Sequence, residues 1–312
     1  MAQNVPAIET RALRKEYGPK VAVEELTLRV EPGEAFGFLG PNGAGKTTSV
    51  KMLLGLVPPT SGEAQLLGIP CGNPACRQRV GFLPEDFRFH EWLRGYEFLD
   101  LHARLHHVPK EVRVRRIPEL LEIVDLSKAA EQPLSTYSKG MLQRIGLAQA
   151  LVHDPALVFL DEPTSGLDPL GRRMVRDVIK QLTERGVTVF LNSHLLSEVE
   201  LTCSRVAFVA QGRVRLVTDP RHYRSEVVRV DFRVGAVDEE LRQGLQRWSN
   251  EVLLDAEGHT LTVRLADEQQ IPDVTRYIVG HGTDVYGIAL QRVSLEELFM
   301  RVIESEEPCA TS

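Results

Sequence analysis

The chain has 312 residues, 43% of them hydrophobic and 26% charged, with 37 basic against 43 acidic side chains and a net charge of −6. This is the balance of an ordinary globular protein with length enough for two domains, and it argues against a chain that coats nucleic acid through bulk charge. No window reaches the ~18 consecutive apolar residues of a membrane-spanning helix, and the opening "MAQNVPAIETRALRK" has no apolar signal core, so a cytosolic chain is expected. Cys71, Cys76, Cys203 and Cys309 form neither a zinc-type CxxC pair nor a secreted disulfide framework, and they read as plain thiols.

Up to residue 220, short apolar runs alternate with longer helical patterns, which points to an α/β arrangement. "AFGFLG" (35–40) reads as a buried parallel strand. "GPNGAGKTT" (40–48) follows it and precedes a helical run from Ser49 to Leu56, the context a phosphate-binding loop requires. In Gly40, Pro41, Asn42, Gly43, Ala44 and Gly45, the glycines let backbone amides approach phosphate oxygens without a Cβ in the way. Lys46 then neutralises the β- and γ-phosphates, Thr47 offers its hydroxyl to Mg²⁺, and Thr48 completes the motif.

Residues 88–130 read as helical, with Trp92, Tyr96, Leu99 and Ala103 on one stripe and Ile117, Leu120, Leu121 and Val124 on another. His102, His106 and His107 lie near one face without a carboxylate pattern, and Arg113, Arg115 and Arg116 read as solvated charge. "LSTYSKGMLQRIGLAQAL" (134–151) then opens a helix at Ser138-Lys139-Gly140. First-turn amides have no acceptor inside a helix, and with the macrodipole they attract an anion.

Two further buried strands, "ALVFLDE" (156–162) and "VTVFLNS" (187–193), end in polar residues, where ligands of parallel sheets sit. Asp161 is placed to hold a magnesium shell and Glu162 to orient and deprotonate an attacking water, the alternative being acids that cap a strand. His194 follows the next strand and reads as a ligand of the γ-phosphate that also holds the water; alone it would be a core histidine. Past residue 225, Val228, Val230, Phe232 and Val234 alternate with polar residues, as do Leu261, Val263 and Leu265. Helical stripes at Ile271, Val274, Ile278 and at Leu295, Leu298, Phe299, Val302 flank a strand at Val285–Leu290, giving an order βαββαβ and then a helix. This suggests a small ferredoxin-like α+β domain with a frayed tail.

The ordered set "GPNGAGKTT", "GFLPE" (81–85), "YSKGM" (137–141), "VFLDEP", "SGLD" (165–168) and "NSH" (192–194) resembles the ATP-binding subunit of an ABC transporter over residues 5–220. The resemblance implies a P-loop ATPase domain at 1–224 with a helical subdomain at about 86–150, an accessory domain at 225–305 and a tail at 306–312. It implies a head-to-tail homodimer holding ATP and Mg²⁺ between one chain's P-loop and the other's signature turn, so that the anion at Ser138 and Gly140 is the γ-phosphate of the partner's ATP. Tyr17 takes the place of the aromatic ring stacked on adenine, a simple turn tyrosine being the other reading, and Asp168 that of the aspartate linking the two sites.

Two motifs depart from the family pattern. Lys139 and Met141 replace a glycine and a glutamine, and Glu85 stands where the family has glutamine, its carboxylate available to magnesium or to the attacking water. These spellings, with "SLEELFMRV" (294–302), are similar to the two-component exporter branch of drug-resistance, sodium-export and haem-export type. That branch implies a separately encoded polytopic membrane permease and a position at the inner face of the cell membrane, with no nucleic-acid partner. Residues 88–130 are the expected docking face, with Phe87, Phe89 and Trp92 either its anchors or side chains buried in the subdomain.

Overall fold

The computed structural model describes residues 5–86, 89–220, 228–249, 251–255, 257–291 and 295–304. By internal contact the chain divides into two compact units, Met1–Arg221 with Phe299–Ser312, and His222–Leu298.

The larger unit opens with strands β1 (Ile8–Tyr17), β2 (Lys20–Val30) and β3 (Ala35–Leu39), then helix α1 (Lys46–Leu53). Strands β4 (Ser61–Leu66), β5 (Ile69–Pro70) and β6 (Val80–Leu83) precede three helices, α2 (Gly95–Leu105), α3 (Lys110–Ile123) and α4 (Lys139–Leu151). The remainder alternates: β7 (Leu157–Asp161), α5 (Pro169–Glu184), β8 (Thr188–Asn192), α6 (Leu196–Thr202), β9 (Arg205–Ala210) and β10 (Arg213–Thr218). These strands form a ten-stranded sheet in the order β5-β4-β1-β2-β10-β9-β3-β8-β7-β6.

The three strands expected from their apolar runs, β3, β7 and β8, lie side by side in parallel and every residue in them is buried. Covered on both faces, they need no alternation, which is why their sequences read as continuous apolar runs. Phe36, Phe38, Phe159 and Phe190 pack there, with the Phe38–Phe190 and Phe159–Phe190 centroids both 5.1 Å apart. The side-by-side ends of these strands carry Leu39, Asp161 and Asn192 to one rim.

Residues 8–70 add an antiparallel layer of β1, β2, β4 and β5 that an expectation of alternating strands and helices does not include. Its period is broken by register shifts between Thr10 and Leu13 and between Leu13 and Lys15, with Ala12 at φ 45°, so the alternation is not continuous. The helical stripe also starts later than its apolar residues indicate. Arg94 N–H donates to Glu97 Oε2 at 3.0 Å, a capping contact that opens α2 at Gly95 and leaves Trp92 outside it, 75% exposed. Two arginines of the basic run are tied rather than solvated: Arg113 bonds Asp100 at 2.7 Å, and Arg116 donates to the Leu151 carbonyl at 2.8 Å, closing the end of α4.

The smaller unit contains β11 (Val228–Val234), α7 (Glu239–Leu245), β12 (Val252–Leu254), β13 (Thr260–Leu265), α8 (Ile271–Gly280) and β14 (Val285–Gln291), and α9 (Leu295–Glu304) comes after it. Its antiparallel sheet has the order β12-β13-β11-β14, the ferredoxin-like arrangement. Val230, Phe232, Val234, Leu261, Val263 and Leu265 face Leu241, Leu245, Val274 and Ile278 in its core. The expected tail, 306–312, lies outside the described residues, as does Phe87.

Candidate functional site

The loop between β3 and α1 is shaped by close approaches. A Cβ on Gly40 would lie 2.3 Å from the Val209 carbonyl oxygen, and one on Gly45 would lie 2.5 Å from that of Ala22, so neither position admits a side chain. Gly43 and Gly45 have φ of 83° and 95°, and Gly45 is the helix N-cap with no side-chain cap of its own. Helix α1 therefore starts at Lys46, three residues before the expected Ser49, because the left-handed glycine lets the chain turn directly into it. The consequence is chemical: Lys46, Thr47 and Thr48 occupy the first turn, whose amides have no acceptor inside the helix. Gly212 N–H donates to the Ala44 carbonyl at 3.1 Å and fixes the loop from β10's side.

Lys46 Nζ donates to the carbonyls of Gly40 at 2.7 Å and Pro41 at 3.1 Å. Burial pushes its pKa down, while the carboxylates of Glu162, Asp161 and Glu85 push it back up. Those influences bring the loop lysine and three acids from three separate segments into one electrostatic neighbourhood.

At the rim, Asp161 is buried and accepts a hydrogen bond from Asn192 Nδ2 at 2.5 Å. Burial pushes its carboxyl up to about 6, with Glu85 and Glu162 adding to the rise and Asn192 and Lys46 opposing it. Glu162 is also buried, and its backbone is left-handed at φ 50°, an uncommon state for a residue with a Cβ. Its N–H donates to the Asn192 carbonyl at 2.8 Å, and its Oε1 accepts from His194 N–H at 2.9 Å. Oε2 lies 2.7 Å from His194 Nδ1 but makes no aligned hydrogen bond, and the buried Asn192 Oδ1 has no partner among the described residues. His194 itself is exposed and touches Glu162 through both backbone and ring.

Buried, unsatisfied oxygen at Glu162 and Asn192, a high carboxyl pKa at Asp161 and a first-turn threonine at Thr47 make an oxygen-rich donor set suited to a small hard cation. Thr47 is exposed, as is Glu85 at the end of the β6 segment. A cavity of about 210 Å³ opens between Gly40, Pro41, Asn42, Ser193, His194, Leu196 and Phe299. A larger one, about 300 Å³, lies against α5 at Leu170, Arg173 and Met174 and contains none of these groups.

The remaining expected residues stand at other edges. Ser138 is the exposed N-cap of α4, and its Oγ accepts from Met141 N–H at 3.2 Å. Gly140 is next in the first turn, where a Cβ would meet Leu167 Cδ2 at 3.4 Å. Lys139 is exposed, and its stem lies over Gly166, 2.9 Å from where a Cβ would be. Asp168 caps α5, with Oδ1 accepting from Gly171 N–H at 2.8 Å. Tyr17 is 49% exposed at the end of β1, with Lys15 Nζ 4.9 Å from its ring centroid. His106 stacks on His153 at 3.8 Å, and among the described residues no group of three or more His, Cys, Asp or Glu side chains is gathered to hold a metal by itself.

Three contributors carry little or no sequence signal. Asn192 reads in sequence only as the first letter of "NSH", with no role of its own until the sheet brings it beside Asp161. Phe299 is distant in sequence, and its ring sits 5.9 Å from that of Phe208. Gln143 donates from Nε2 to the Glu162 carbonyl at 3.2 Å; a lone amide on the buried face shared with Leu147 and Ala150 is the trace it leaves in the sequence.

Residues 23–165 match the protein family described as ABC transporter. An uncharacterized ABC transporter ATP-binding protein of Nostoc sp. is 40% identical across 98% of this chain and 92% of its own length. A Nod factor export ATP-binding protein of Cupriavidus metallidurans is 39% identical over 66% of this chain and 69% of its own. Among solved structures, an ATP-binding subunit of an ABC transporter superposes with a TM-score of 0.65 at 29% identity, covering 68% of this chain and 90% of that one.

Proposed function

The chain belongs to the family of ABC transporter ATP-binding proteins, and from that premise we propose that it drives export through a separately encoded polytopic permease, as a head-to-tail homodimer at the inner face of the cell membrane. It binds and hydrolyses ATP with Mg²⁺. The observation that carries the reading is the Glu162 carboxylate, fixed by His194 N–H at 2.9 Å in the field of Lys46, with one oxygen left uncommitted.

Phosphoryl transfer needs positioning and charge neutralisation more than covalent help. The amides of Gly43 through Thr48 and the Lys46 ammonium bind the phosphates, and Tyr17 offers a flat apolar face to the adenine. Thr47 and Asp161 would hold Mg²⁺, and the Glu85 carboxylate is available to it or to the attacking water; when bound, the ion would supply charge neutralisation at the phosphate oxygens. Glu162 orients that water and takes its proton at Oε2, the oxygen beside His194 Nδ1. His194, exposed beside that oxygen, would hydrogen-bond the γ-phosphate and hold the water against it.

Ser138 and Gly140 complete the site of the opposite chain. Their turn is exposed and carries Lys139 at its first helical position, yet it has no hydrolytic group of its own. Asp168, at the start of α5, joins the two sites across the dimer. ATP then holds two chains together by charge, and loss of the γ-phosphate weakens the clamp. The stroke is delivered to another polypeptide, with the exposed Trp92 as its contact; no described helix is long and apolar enough to cross a membrane. Outward direction rests on the Nod factor export relative.

Ser138→Arg tests the composite site: hydrolysis falls by at least ~10²-fold while the monomer's ATP affinity, by equilibrium binding, stays within about twofold. Equal loss of both contradicts a site completed by the partner. Co-purification with a polytopic membrane protein tests the permease.

A further inference from the structure

We propose that Gln143 is a positioning residue for Glu162, and that through it helix α4 makes the signature turn of one ATP site and the hydrolytic strand end of the other a single moving part. The inference rests on the roles proposed for Glu162 and Ser138.

Gln143 is 5% exposed, a polar side chain on an otherwise apolar helix face. Its Nε2 donates to the Glu162 carbonyl at 3.2 Å. That carbonyl also accepts from Ser165 N–H at 3.1 Å, so both of its lone pairs are used. With the Glu162 N–H bound to the Asn192 carbonyl and Oε1 to His194 N–H, the residue is held from α4, from the turn after β7 and from the end of β8. A left-handed backbone at a residue that is not glycine persists only when its surroundings over-determine it, and Gln143 is the one of these ties that comes from a helix.

The same helix touches the segment after β7. Lys139 lies over Gly166 and Gly140 faces Leu167, which is 6% exposed. From Lys139 to Gln143, helix α4 therefore lies along residues 162–167 in the opposite chain direction. Ser138, the N-cap, stands about one and a half turns from Gln143 on a rigid rod. When that cap seats on the partner's ATP, the rod carries its displacement to the carbonyl of Glu162 in its own chain. The two-fold relation of the subunits makes the effect reciprocal, and hydrolysis in each site then depends on occupancy of the other.

Filling the interior accounts for an apolar side chain at this position, and Gln143→Met keeps that volume while removing the donor. In the full-length dimer we expect kcat for ATP to fall about tenfold, a loss of the size of one buried hydrogen bond removed, the Ser165 N–H bond to the same carbonyl remaining. Monomer ATP affinity should stay within about twofold, and the Hill coefficient for ATP, above one in the unaltered protein, should fall towards one. Unchanged kcat and Hill coefficient, an equal loss of kcat and ATP affinity, or a Hill coefficient of one in the unaltered protein each overturn the proposal.

Gln143→Glu keeps the shape and donates only when protonated, so its kcat relative to the unaltered protein at the same pH should rise as pH falls. A flat ratio overturns the proposal even if the Met variant does not fold. Glu162→Gln separates the two levels: if that variant is inactive while Gln143→Met is fully active, only this inference fails, whereas an active Glu162→Gln removes the reading beneath it.

Discussion

Helices α1 and α4 both begin at a turn suited to an anion, and they begin differently. Gly45 opens α1 from a left-handed φ of 95° with no side-chain cap, while Ser138 opens α4 from an extended φ of −66° and caps Met141 with its hydroxyl. Each has lysine at its first helical position. Lys46 is half-buried, tied to the Gly40 and Pro41 carbonyls and surrounded by the field of Asp161, Glu162 and Glu85. Lys139 is exposed, its stem laid on Gly166. The difference teaches that similar anion-attracting ends acquire different capacities from what the sheet puts beside them. One terminus stands beside the buried Glu162 carboxylate, to which we assign hydrolysis; the other has no such group and, on that reading, acts on a molecule brought to it.

The strongest way to break this comparison is Glu162→Gln, which should lower steady-state phosphate release by at least ~10²-fold while nucleotide still binds, reducing the α1 site to the binding-only status of α4. Next, Gly45→Ala forces a Cβ towards the Ala22 carbonyl at a φ that L-residues rarely adopt, and should cost about 2 kcal/mol or more in a denaturant melt, together with ATP binding. No comparable loss is expected from Gly140→Ala, where the new atom meets Leu167 at an ordinary 3.4 Å.

The pH dependence separates the two ends further. Asp161 must ionise to hold Mg²⁺, so Mg²⁺-dependent turnover should fall about tenfold per pH unit below about 6, whereas the Ser138 end has no such group. The sign for stability is opposite. Because the folded carboxyl is raised from 3.8 to about 6, its contribution to stability is complete below 3.8 and lost as pH rises through about 6. Thermal melts with and without MgATP across that window should therefore diverge most above pH 6. The smallest expected effect is Ser138→Ala, about 1 kcal/mol of stability through the lost cap.

Much of the site is legible in the linear chain because its groups sit at the ends of buried strands. β3, β7 and β8 read as strands by their apolar runs, and polar residues follow them at the carboxyl ends, where ligands of parallel sheets sit. The antiparallel layer is harder to read, since bulges at Thr10 to Lys15 interrupt its alternation. Trp92 has the spacing of a helical stripe, but a capping contact from Glu97 starts the helix after it. The βαββαβ order of the smaller unit is readable from its strict alternation, and the observed strand order agrees with it.

The sequence by itself determined the loop that turns into α1, the acids at the end of β7 and the family to which the chain belongs, because glycine spacing and strand endings are local chemistry. Only the tertiary structure decided that Asn192 would bond Asp161, that Gln143 would reach Glu162 and that Phe299 would line a cavity beside the loop. Those pairs are 31, 19 and more than two hundred residues apart along the chain. A hydrogen bond depends on distance in space, and sequence pattern records a side chain's own preference without recording the partner that packing delivers to it.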